Sequence, residues 1–376
     1  MENALQHLID QIHTAAAQRT PLCIRGGGSK DFYGEILQGE LLDTSSHRGI
    51  VNYEPSELVV TVRAGTPLAE LEAALAEQGQ GLAFEPPRFG TLSGTCGGMV
   101  AAGLSGPARA SVGGVRDYVL GVQMVNGRGE ALTFGGQVMK NVAGYDVSRL
   151  MVGAMGTLGL LTELSLKVLP VAPAEATLVF QLDQAAALAQ LHRWGAQPLP
   201  LNASCWVCDN TTPNAPELLF VRLRGAIAAV ESACKKMLAD VPGQRMDNAQ
   251  AGPDWAACRD MKLPFFNAPA DKSLALWRLS VPQTAPVLAL PWPQLIEWHG
   301  GLRWLWAPTS AQPQLQQAVG AVGGSASLFI AASDNTKGNK NCFSPLSPAI
   351  EQIHRRLKAE FDPAGIFNPG RMYANI

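Results

Sequence analysis

A glycine-rich stretch at residues 89–114 constrains the fold of this chain more than any other segment. It holds eight glycines, interleaved with serine and threonine, and has no charged residue before Arg109. Because glycine lacks a Cβ, successive backbone N–H groups can turn toward one point and approach an anion closely. Apolar residues at 99–104 suit a ligand with both a charged and a flat apolar part. A flexible Gly/Ser linker is the alternative, but linkers rarely contain so many apolar residues.

Two further glycine clusters support a ligand-binding interpretation. The first, Arg-Gly-Gly-Gly-Ser-Lys at residues 25–30, directly follows a predicted strand at 22–24. Its glycines can fold their amides around a phosphate, while Ser29 and Lys30 offer a hydroxyl and a cation. The second spans residues 140–146 and 153–159 and precedes a predicted strand at 160–168. A tight surface turn remains the alternative for the cluster at 25–30.

The common phosphate-binding loops are excluded. No GxGxxG pattern follows the first predicted strand, and Gly-Lys-Ser/Thr occurs nowhere in the chain. The sequence therefore has neither a Rossmann nor a Walker A loop, and a nucleotide site must be of another kind.

The net charge and the cysteine content limit which partners the chain can bind and indicate its cellular compartment. The 376 residues have a net charge of −2, which gives no electrostatic case for nucleic acid or an anionic membrane. The N-terminus resembles neither a signal peptide nor a transit sequence, and no apolar run reaches the roughly 18 residues of a membrane span. Seven cysteines without a secretory signal predict free thiols in a reducing cytoplasm.

Periodicity predicts an α+β chain in three parts. Strands and helices alternate with the glycine clusters up to a proline-flanked boundary, and we expect a first domain at residues 1–171. Residues 172–345 show strands and helices in an order typical of a ferredoxin-like α+β cap domain, single or doubled. Residues 346–376 predict a C-terminal helix and a tail that returns to the first domain.

The order of these motifs resembles the FAD-binding domain of the family that includes vanillyl-alcohol oxidase (VAO) and p-cresol methylhydroxylase (PCMH). The matching segments are residues 25–29, 91–98 with 101–106, and Gly-x-x-Gly-Thr-Leu-Gly at 153–159. The closing Asp-Pro-x-Gly-Ile-x-Asn-Pro-Gly at 362–370 is similar to a tail of the lactate and glycolate branch. The resemblance implies a two-part FAD-binding domain of the PCMH/VAO type.

The same resemblance implies the residues that bind FAD. The cluster at 25–30 and the loop at 91–106 would hold the diphosphate and sugars through backbone amides, and residues 156–161 would lie along the flavin. Relatives that tether the flavin often use a histidine in the first glycine loop; Ser29 stands near that place, which predicts non-covalent FAD. The implied cofactor-binding residues are Arg25, Gly26, Gly27, Gly28, Ser29, Lys30, Pro87, Thr91, Leu92, Ser93, Gly94, Gly97, Gly98, Ala101, Gly103, Ser105, Gly156, Thr157, Gly159 and Leu161.

Within the family, residues 138–146 and the chain length are most similar to the FAD-binding E subunit of bacterial glycolate oxidase. That resemblance implies a complex with a larger flavin subunit and an iron-sulfur subunit, which oxidises glycolate to glyoxylate. Membrane contact would then be peripheral and made through the partners. Two alternatives stay open: a self-sufficient FAD-dependent 2-hydroxy acid dehydrogenase, and a catalytically silent scaffold with a flavin-binding fold.

Catalytic residues are weakly marked in the sequence. Oxidation of a 2-hydroxy acid needs a base for the hydroxyl proton and a cation for the carboxylate. The histidine-containing cap segment of related enzymes is missing, and His299 with Arg303 is the nearest candidate pair. A structural histidine at a turn and an arginine that covers tryptophans form the favoured alternative. No metal site is predicted, and the Cys205-x-x-Cys208 pair is better explained by buried thiols than by zinc or redox chemistry.

Overall fold

The computed structural model describes residues 2–90, 94–136, 145–209, 214–332 and 341–374. Within these ranges the helices are α1 (Glu2–Gln18), α2 (Leu68–Glu77), α3 (Cys96–Ala102), α4 (Arg109–Val112), α5 (Tyr145–Leu150), α6 (Gln184–Gly195), α7 (Ile227–Asp240), α8 (Asn248–Arg259), α9 (Gln312–Gly320) and α10 (Pro348–Phe361). The strands are β1 (Leu22–Arg25), β2 (Glu40–Asp43), β3 (Ile50–Glu54), β4 (Val59–Arg63), β5 (Gln80–Gly81), β6 (Val119–Val125), β7 (Ala131–Gly135), β8 (Leu160–Lys167), β9 (Leu169–Pro170), β10 (Ala174–Gln181), β11 (Leu201–Cys208), β12 (Glu217–Gly225), β13 (Gln244–Met246), β14 (Leu274–Ser280), β15 (Gln294–Glu297), β16 (Leu302–Pro308) and β17 (Ser325–Ile330).

The chain forms two compact units. The first contains Met1–Leu104, Gly114–Val171 and Asn339–Ile376, and the second contains Ser105–Gly113 and Ala172–Gly338. The sequence places residues 105–113 in the first domain, whereas their contacts assign them to the second unit. The reason is local: the Trp298 indole N–H donates to the Gly106 carbonyl at 2.9 Å, and the Arg109 guanidinium lies 4.5 Å from the Trp298 ring centroid. The predicted boundaries after residues 171 and 345 stay predictions.

An antiparallel five-stranded sheet forms the centre of the first unit, in the order β3-β4-β8-β6-β7. Alternation along β8 buries Leu164 and Leu166 completely. Helix α2 contributes Leu68, Leu71 and Leu75 to the same core, at the spacing that places side chains on one helical face. This core fixes β4, which supports the candidate site.

A smaller part of the first unit joins both ends of the chain. Strands β1 and β2 pair in parallel, and α1 packs Leu8 and Ile12 against them. Ile366 and Phe367 of the C-terminal tail complete this core, and Leu22 forms a parallel bridge with Phe367. The tail is therefore a structural part of the unit that holds the first glycine cluster.

The second unit is a doubled ferredoxin-like arrangement, as the sequence predicts. Its antiparallel eight-stranded sheet has the order β13-β10-β12-β11-β15-β16-β14-β17. The first half follows the β-α-β-β-α-β pattern through α6 and α7. The second half has its strands in the reversed spatial order, β15-β16-β14-β17. Residues 281–293 stand where the first half has its first helix. The repeat is topological and leaves no internal repeat in the sequence.

The main core of the second unit lies on one face of this sheet. There the Trp194 ring of α6 contacts Phe180 of β10, with ring centroids 5.0 Å apart, and α7 adds Val230 and Met237. Helix α8 contacts β10 on this sheet through Trp255, whose indole N–H donates to the Thr177 hydroxyl at 2.9 Å. Within the described ranges, no helix combines the length and apolar character that a membrane span requires.

Candidate functional site

The first glycine cluster forms an open loop at the end of β1. Gly28 has φ +68°, and a Cβ built on it would lie 2.4 Å from the Arg25 guanidinium, so this position requires glycine. The Asp31 amide donates to the Gly28 carbonyl at 3.2 Å and closes the turn. Among the described residues, none of the backbone amides from Gly26 to Lys30 has a hydrogen-bond acceptor. A run of backbone amides that have no acceptor within the protein can bind an anion.

Lys30 adds a cation to this loop. Its ammonium lies 3.4 Å from the Ser29 hydroxyl and 6.0 Å from the Phe89 ring centroid, and it forms no ion pair with the described carboxylates. Burial lowers the pKa of Lys30 to about 8, because removal from water disfavours the charged form. Arg25, by contrast, is paired with Asp31, with its Nε 2.8 Å from the carboxylate. Lys30 is therefore the cation of this loop that is available to an anion.

Helix α3 contributes close packing rather than free amides. The Cys96, Gly97 and Gly98 amides donate to Thr66 O, Ala64 O and Thr95 Oγ1 at 2.9, 2.7 and 3.2 Å. A Cβ on Gly97 would lie 2.8 Å from the Ala64 Cβ, and one on Gly26 would lie 2.3 Å from Thr95 Oγ1. These glycines let α3 approach β4 and the first loop closely. The expected amide cradle thus differs from the structure at 96–98, since those donors are used within the protein.

The C-terminal tail shapes the same loop. Asn368 accepts the Ile24 amide at 2.7 Å and donates from its side chain to the Met155 carbonyl at 2.7 Å. The buried Arg371 guanidinium donates to the carbonyls of Lys30, Asp31, Tyr33 and Glu35. Sequence reasoning quoted the tail motif at 362–370 without assigning it this role, and Arg371 follows that motif directly.

The predicted cofactor residues divide into groups. A cleft of the first unit is lined by Arg25, Gly26, Gly27, Gly28, Ser29, Lys30, Gly98 and Ala101, together with Ile24, Asp31, Tyr33, Leu37, Thr95, Ala102, Met155, Asn368 and Arg371, which are not among the predicted cofactor-binding residues. Outside this lining, elsewhere in the first unit, lie Pro87, Gly94, Gly97, Gly103, Gly156, Thr157, Gly159 and Leu161. Ser105 belongs to the second unit. Thr91, Leu92 and Ser93, and the motif at 138–144, lie outside the described residues.

Several predicted residues have structural roles. A Cβ on Gly156 would lie 2.7 Å from the Asn368 amide, and one on Gly159 would lie 2.2 Å from Met124 Cε. The Thr157 hydroxyl donates to the Ala154 carbonyl at 2.7 Å. Leu161 is part of the buried core of the first unit. The expected contact of residues 156–161 with the flavin stays a prediction.

His299 is held inside the second unit. Its backbone has φ 55°, and its amide donates to Ser204 Oγ at 2.9 Å. The ring nitrogens Nδ1 and Nε2 each lie 3.0 Å from a serine hydroxyl, that of Ser204 and that of Ser111. Burial lowers the pKa of His299 to about 4. The imidazole is thus neutral near pH 7 and engaged at both nitrogens, which favours a structural role.

Arg303 is buried completely in the second unit. Its guanidinium donates to the carbonyl oxygens of Gly300, Pro286 and Ala285 at 3.3, 2.7 and 2.8 Å. Burial lowers the pKa of Arg303 to about 10, so the group is still charged near pH 7. A substrate carboxylate has no access to this cation in the structure. Arg303 anchors the segment at residues 285–286 instead.

The loop and cleft fit part of a dinucleotide. The unsatisfied amides and Lys30 match the charge of a diphosphate, and Ile24, Ala101 and Met155 add apolar surface. The FAD binding domain family matches residues 4–135. The fold is similar to a structure of alkyldihydroxyacetonephosphate synthase, with a TM-score of 0.67 and 16% identity over 97% of this chain and 75% of that one. These observations define a protein with an FAD-binding domain and the PCMH/VAO type of fold.

Curated relatives narrow the class. The chain is 44% identical to glycolate oxidase subunit GlcE of Escherichia coli (strain K12), over 99% of this chain and 98% of that protein. It is 32% identical to glycolate oxidase subunit GlcD of Bacillus subtilis (strain 168), over 48% of this chain and 39% of that protein. A D-lactate dehydrogenase of Anaerostipes hadrus is 38% identical over 35% of this chain and 27% of its own length. The chain belongs to the family of the glycolate oxidase subunit GlcE.

A titration test examines the role of His299. The pKa of about 4 in the folded protein lies below the ordinary value of 6.5, so between these values the unfolded chain binds a proton that the folded chain does not. The stability of the second unit should therefore fall as the pH decreases from about 6.5 to 4. His299→Asn keeps a side chain that tolerates the positive φ and does not titrate. We expect the tryptophan-fluorescence melting temperature of this variant to depend less on pH over that range; equal slopes in both proteins would contradict the assignment.

Proposed function

We propose that this chain is the FAD-binding subunit of a glycolate oxidase complex that oxidises glycolate to glyoxylate and passes electrons to an iron-sulfur partner subunit. The observation that carries the proposal is the 44% identity to GlcE over nearly the full length of both proteins. Bound FAD would supply the acceptor for the hydride that leaves the alcohol carbon. A larger flavin subunit and cytoplasmic localisation, with peripheral membrane contact through the partners, are parts of the same proposal.

The role of this chain's own residues follows from the first loop. The amides of residues 26–30 and the Lys30 ammonium would hold the diphosphate, and Arg371 with Asn368 would keep the loop in shape. FAD would be bound without a covalent tether, since Ser29 occupies the position near which related proteins carry a tethering histidine. Acid precipitation should then release all flavin into the supernatant, and flavin that stays with the precipitate would contradict this point.

Whether this chain's own residues can bind and oxidise the substrate distinguishes the proposal from its two alternatives. Both candidate residues, His299 and Arg303, are occupied by protein groups. This favours a chain that relies on its partners for turnover over a self-sufficient 2-hydroxy acid dehydrogenase. The unsatisfied amides of the first loop argue against a scaffold that has lost its ligand.

The test compares the purified chain alone with the chain assembled with its partner subunits. Glycolate is added without oxygen, and the visible flavin spectrum is recorded. We expect the flavin of this chain to bleach only in the complex. Bleaching of the isolated chain would favour the self-sufficient dehydrogenase, and a purified chain without flavin colour would favour the scaffold.

A further inference from the structure

The second unit contains a cavity that the proposed FAD chemistry does not use. Its volume is about 280 Å³, near the lower end of the roughly 300–1,000 Å³ of small-molecule sites. One wall is the sheet, with Thr177, Cys205 and Val207, and the other is α8 with Ala251 and Trp255. The cavity lies wholly within one compact unit, so its shape depends on that unit alone.

Side-chain size explains the space between α8 and the sheet. The opposite sheet face is filled by large residues such as Trp194 and Met237. On the α8 side, small residues (Ala251 and Cys258 of the helix and Cys205 of the sheet) lie beside larger ones such as Trp255 and Phe220 and leave space unfilled. Since protein interiors are otherwise packed to high density, a cavity of this size is a feature of the sequence at these positions.

The polar side chains of Thr177 and Cys258, which line the cavity, have hydrogen-bond partners within the protein. The Thr177 hydroxyl accepts the Trp255 indole N–H, and the Cys258 thiol donates to a Glu297 carboxyl oxygen at 3.3 Å. The contact with Cys205, burial and Glu297 all raise the pKa of the Cys258 thiol. The thiol is therefore a poor nucleophile, and redox or covalent chemistry is not favoured here.

Negative charge is found at the exposed side of the cavity. Asp254 of α8 lines it, is exposed, and forms no ion pair or hydrogen bond with the described residues. Asp209 is a second acidic residue in the lining. A ligand with an apolar body would fill the interior, and a cationic or hydrogen-bond-donating group on it would meet the Asp254 carboxylate. Small anions such as 2-hydroxy acids are disfavoured for the same reason.

We propose that this cavity is a binding site for a small apolar molecule that carries an amine. The site is separate from the first glycine loop, and the proposal does not depend on glycolate oxidation. It assigns the small residues of α8 the role of leaving room for the ligand and Asp254 the role of selecting its charge.

A matched pair of probes tests the proposal on the full-length, FAD-loaded chain. Phenethylamine and phenylacetate have the same ring and a similar length but opposite charge, and their binding is measured by calorimetric titration. We expect phenethylamine to bind at millimolar concentration or tighter, and at least about tenfold more tightly than phenylacetate. Absence of phenethylamine binding, or equal binding of both probes, would overturn the proposal.

Two variants locate the binding. Ala251→Phe fills the cavity and should abolish phenethylamine binding, whereas Ala256→Phe, on the exposed side of the same helix, should leave it unchanged. Asp254→Asn should reduce the tenfold preference for the amine to about twofold. If Ala251→Phe does not fold, the test rests on the surface variant Asp254→Asn. An unchanged preference of this variant for phenethylamine over phenylacetate means that the amine binds elsewhere, and the proposal fails.

Discussion

Arg371→Met is expected to lower the free energy of unfolding of the first unit by about 3–5 kcal/mol. Arg371 is 4% exposed, and its guanidinium donates to four main-chain carbonyls in residues 30–35. Methionine fills much of the same space, and the Lys30 carbonyl still accepts the Tyr33 amide at 3.1 Å. The other three carbonyls lose the guanidinium donor, which costs more than the loss of the hydrogen bonds alone. Because the carbonyls belong to the loop that follows Gly26–Ser29, the variant should also bind FAD more weakly.

The distribution of tryptophan makes the measurement specific. All eight tryptophans lie between residues 194 and 306, in the second unit, so their fluorescence reports that unit alone. Amide hydrogen exchange of β1 and β2 should become much faster in Arg371→Met, while the denaturation midpoint followed by tryptophan fluorescence stays the same. Arg356→Met changes an exposed residue of α10. It should alter the free energy of opening that the exchange of β1 and β2 reports by less than about 0.5 kcal/mol. If β1 exchanges as slowly in Arg371→Met as in the wild-type protein, the tail does not support the loop.

Lys30→Met is expected to weaken FAD binding by roughly 10- to 150-fold, the effect of one charge-assisted hydrogen bond of about 1.5–3 kcal/mol. The ammonium forms no ion pair with the described carboxylates and lies beside the unsatisfied amides of the first loop. The change is measured by titrating the ligand-free protein with FAD and following the quenching of flavin fluorescence. Lys30→Arg keeps the positive charge and should lose much less affinity than Lys30→Met.

The same lysine predicts a pH dependence of FAD affinity. With a pKa of about 8, Lys30 is charged at pH 7 and largely neutral at pH 9 in the ligand-free protein. A diphosphate favours the charged form, so binding takes up a proton above pH 8, and the affinity of the wild-type protein should fall as the pH rises from 8 to 9.5. Lys30→Met should show a flat profile over this range. A wild-type profile that is equally flat would mean that Lys30 does not contact the diphosphate.

Short-range signals in the sequence predicted most of the fold. The Asn126-Gly127 turn joins β6 and β7 as an antiparallel hairpin, and the alternation at 160–168 is confirmed as β8. The ferredoxin-like order of the second unit follows from well-marked strands and helices. Short strands such as β13 and β15 were missed, because three or four residues are too few to show a period.

The site was predicted less completely, and particular residues show why. The sequence predicted an anion-binding loop at residues 26–30, since three consecutive glycines allow the amides to fold around a phosphate, with a tight surface turn as the alternative. It also assigned free amides to residues 96–98, whereas Thr66, Ala64 and Thr95 accept those hydrogen bonds. His299 and Arg303 were weak candidates for substrate binding beside a favoured structural interpretation, and serine hydroxyls and backbone carbonyls surround them in the structure. A sequence shows which donors exist but not which acceptors the fold brings to them.

The sequence by itself predicted an anion-binding glycine loop and the strands around it, because glycine spacing and strand periodicity depend on local backbone sterics. The class of the protein followed from the resemblance of these motifs to a known family. Only the tertiary structure decided which donors remain unsatisfied at residues 26–30 and that Arg371, more than 330 residues further along the chain, holds this loop. The physical reason is that hydrogen-bond satisfaction and burial depend on contacts between segments distant in sequence. The lowered pKa of Lys30 and the hydrogen bonds that engage the His299 ring and the Arg303 guanidinium follow from those contacts.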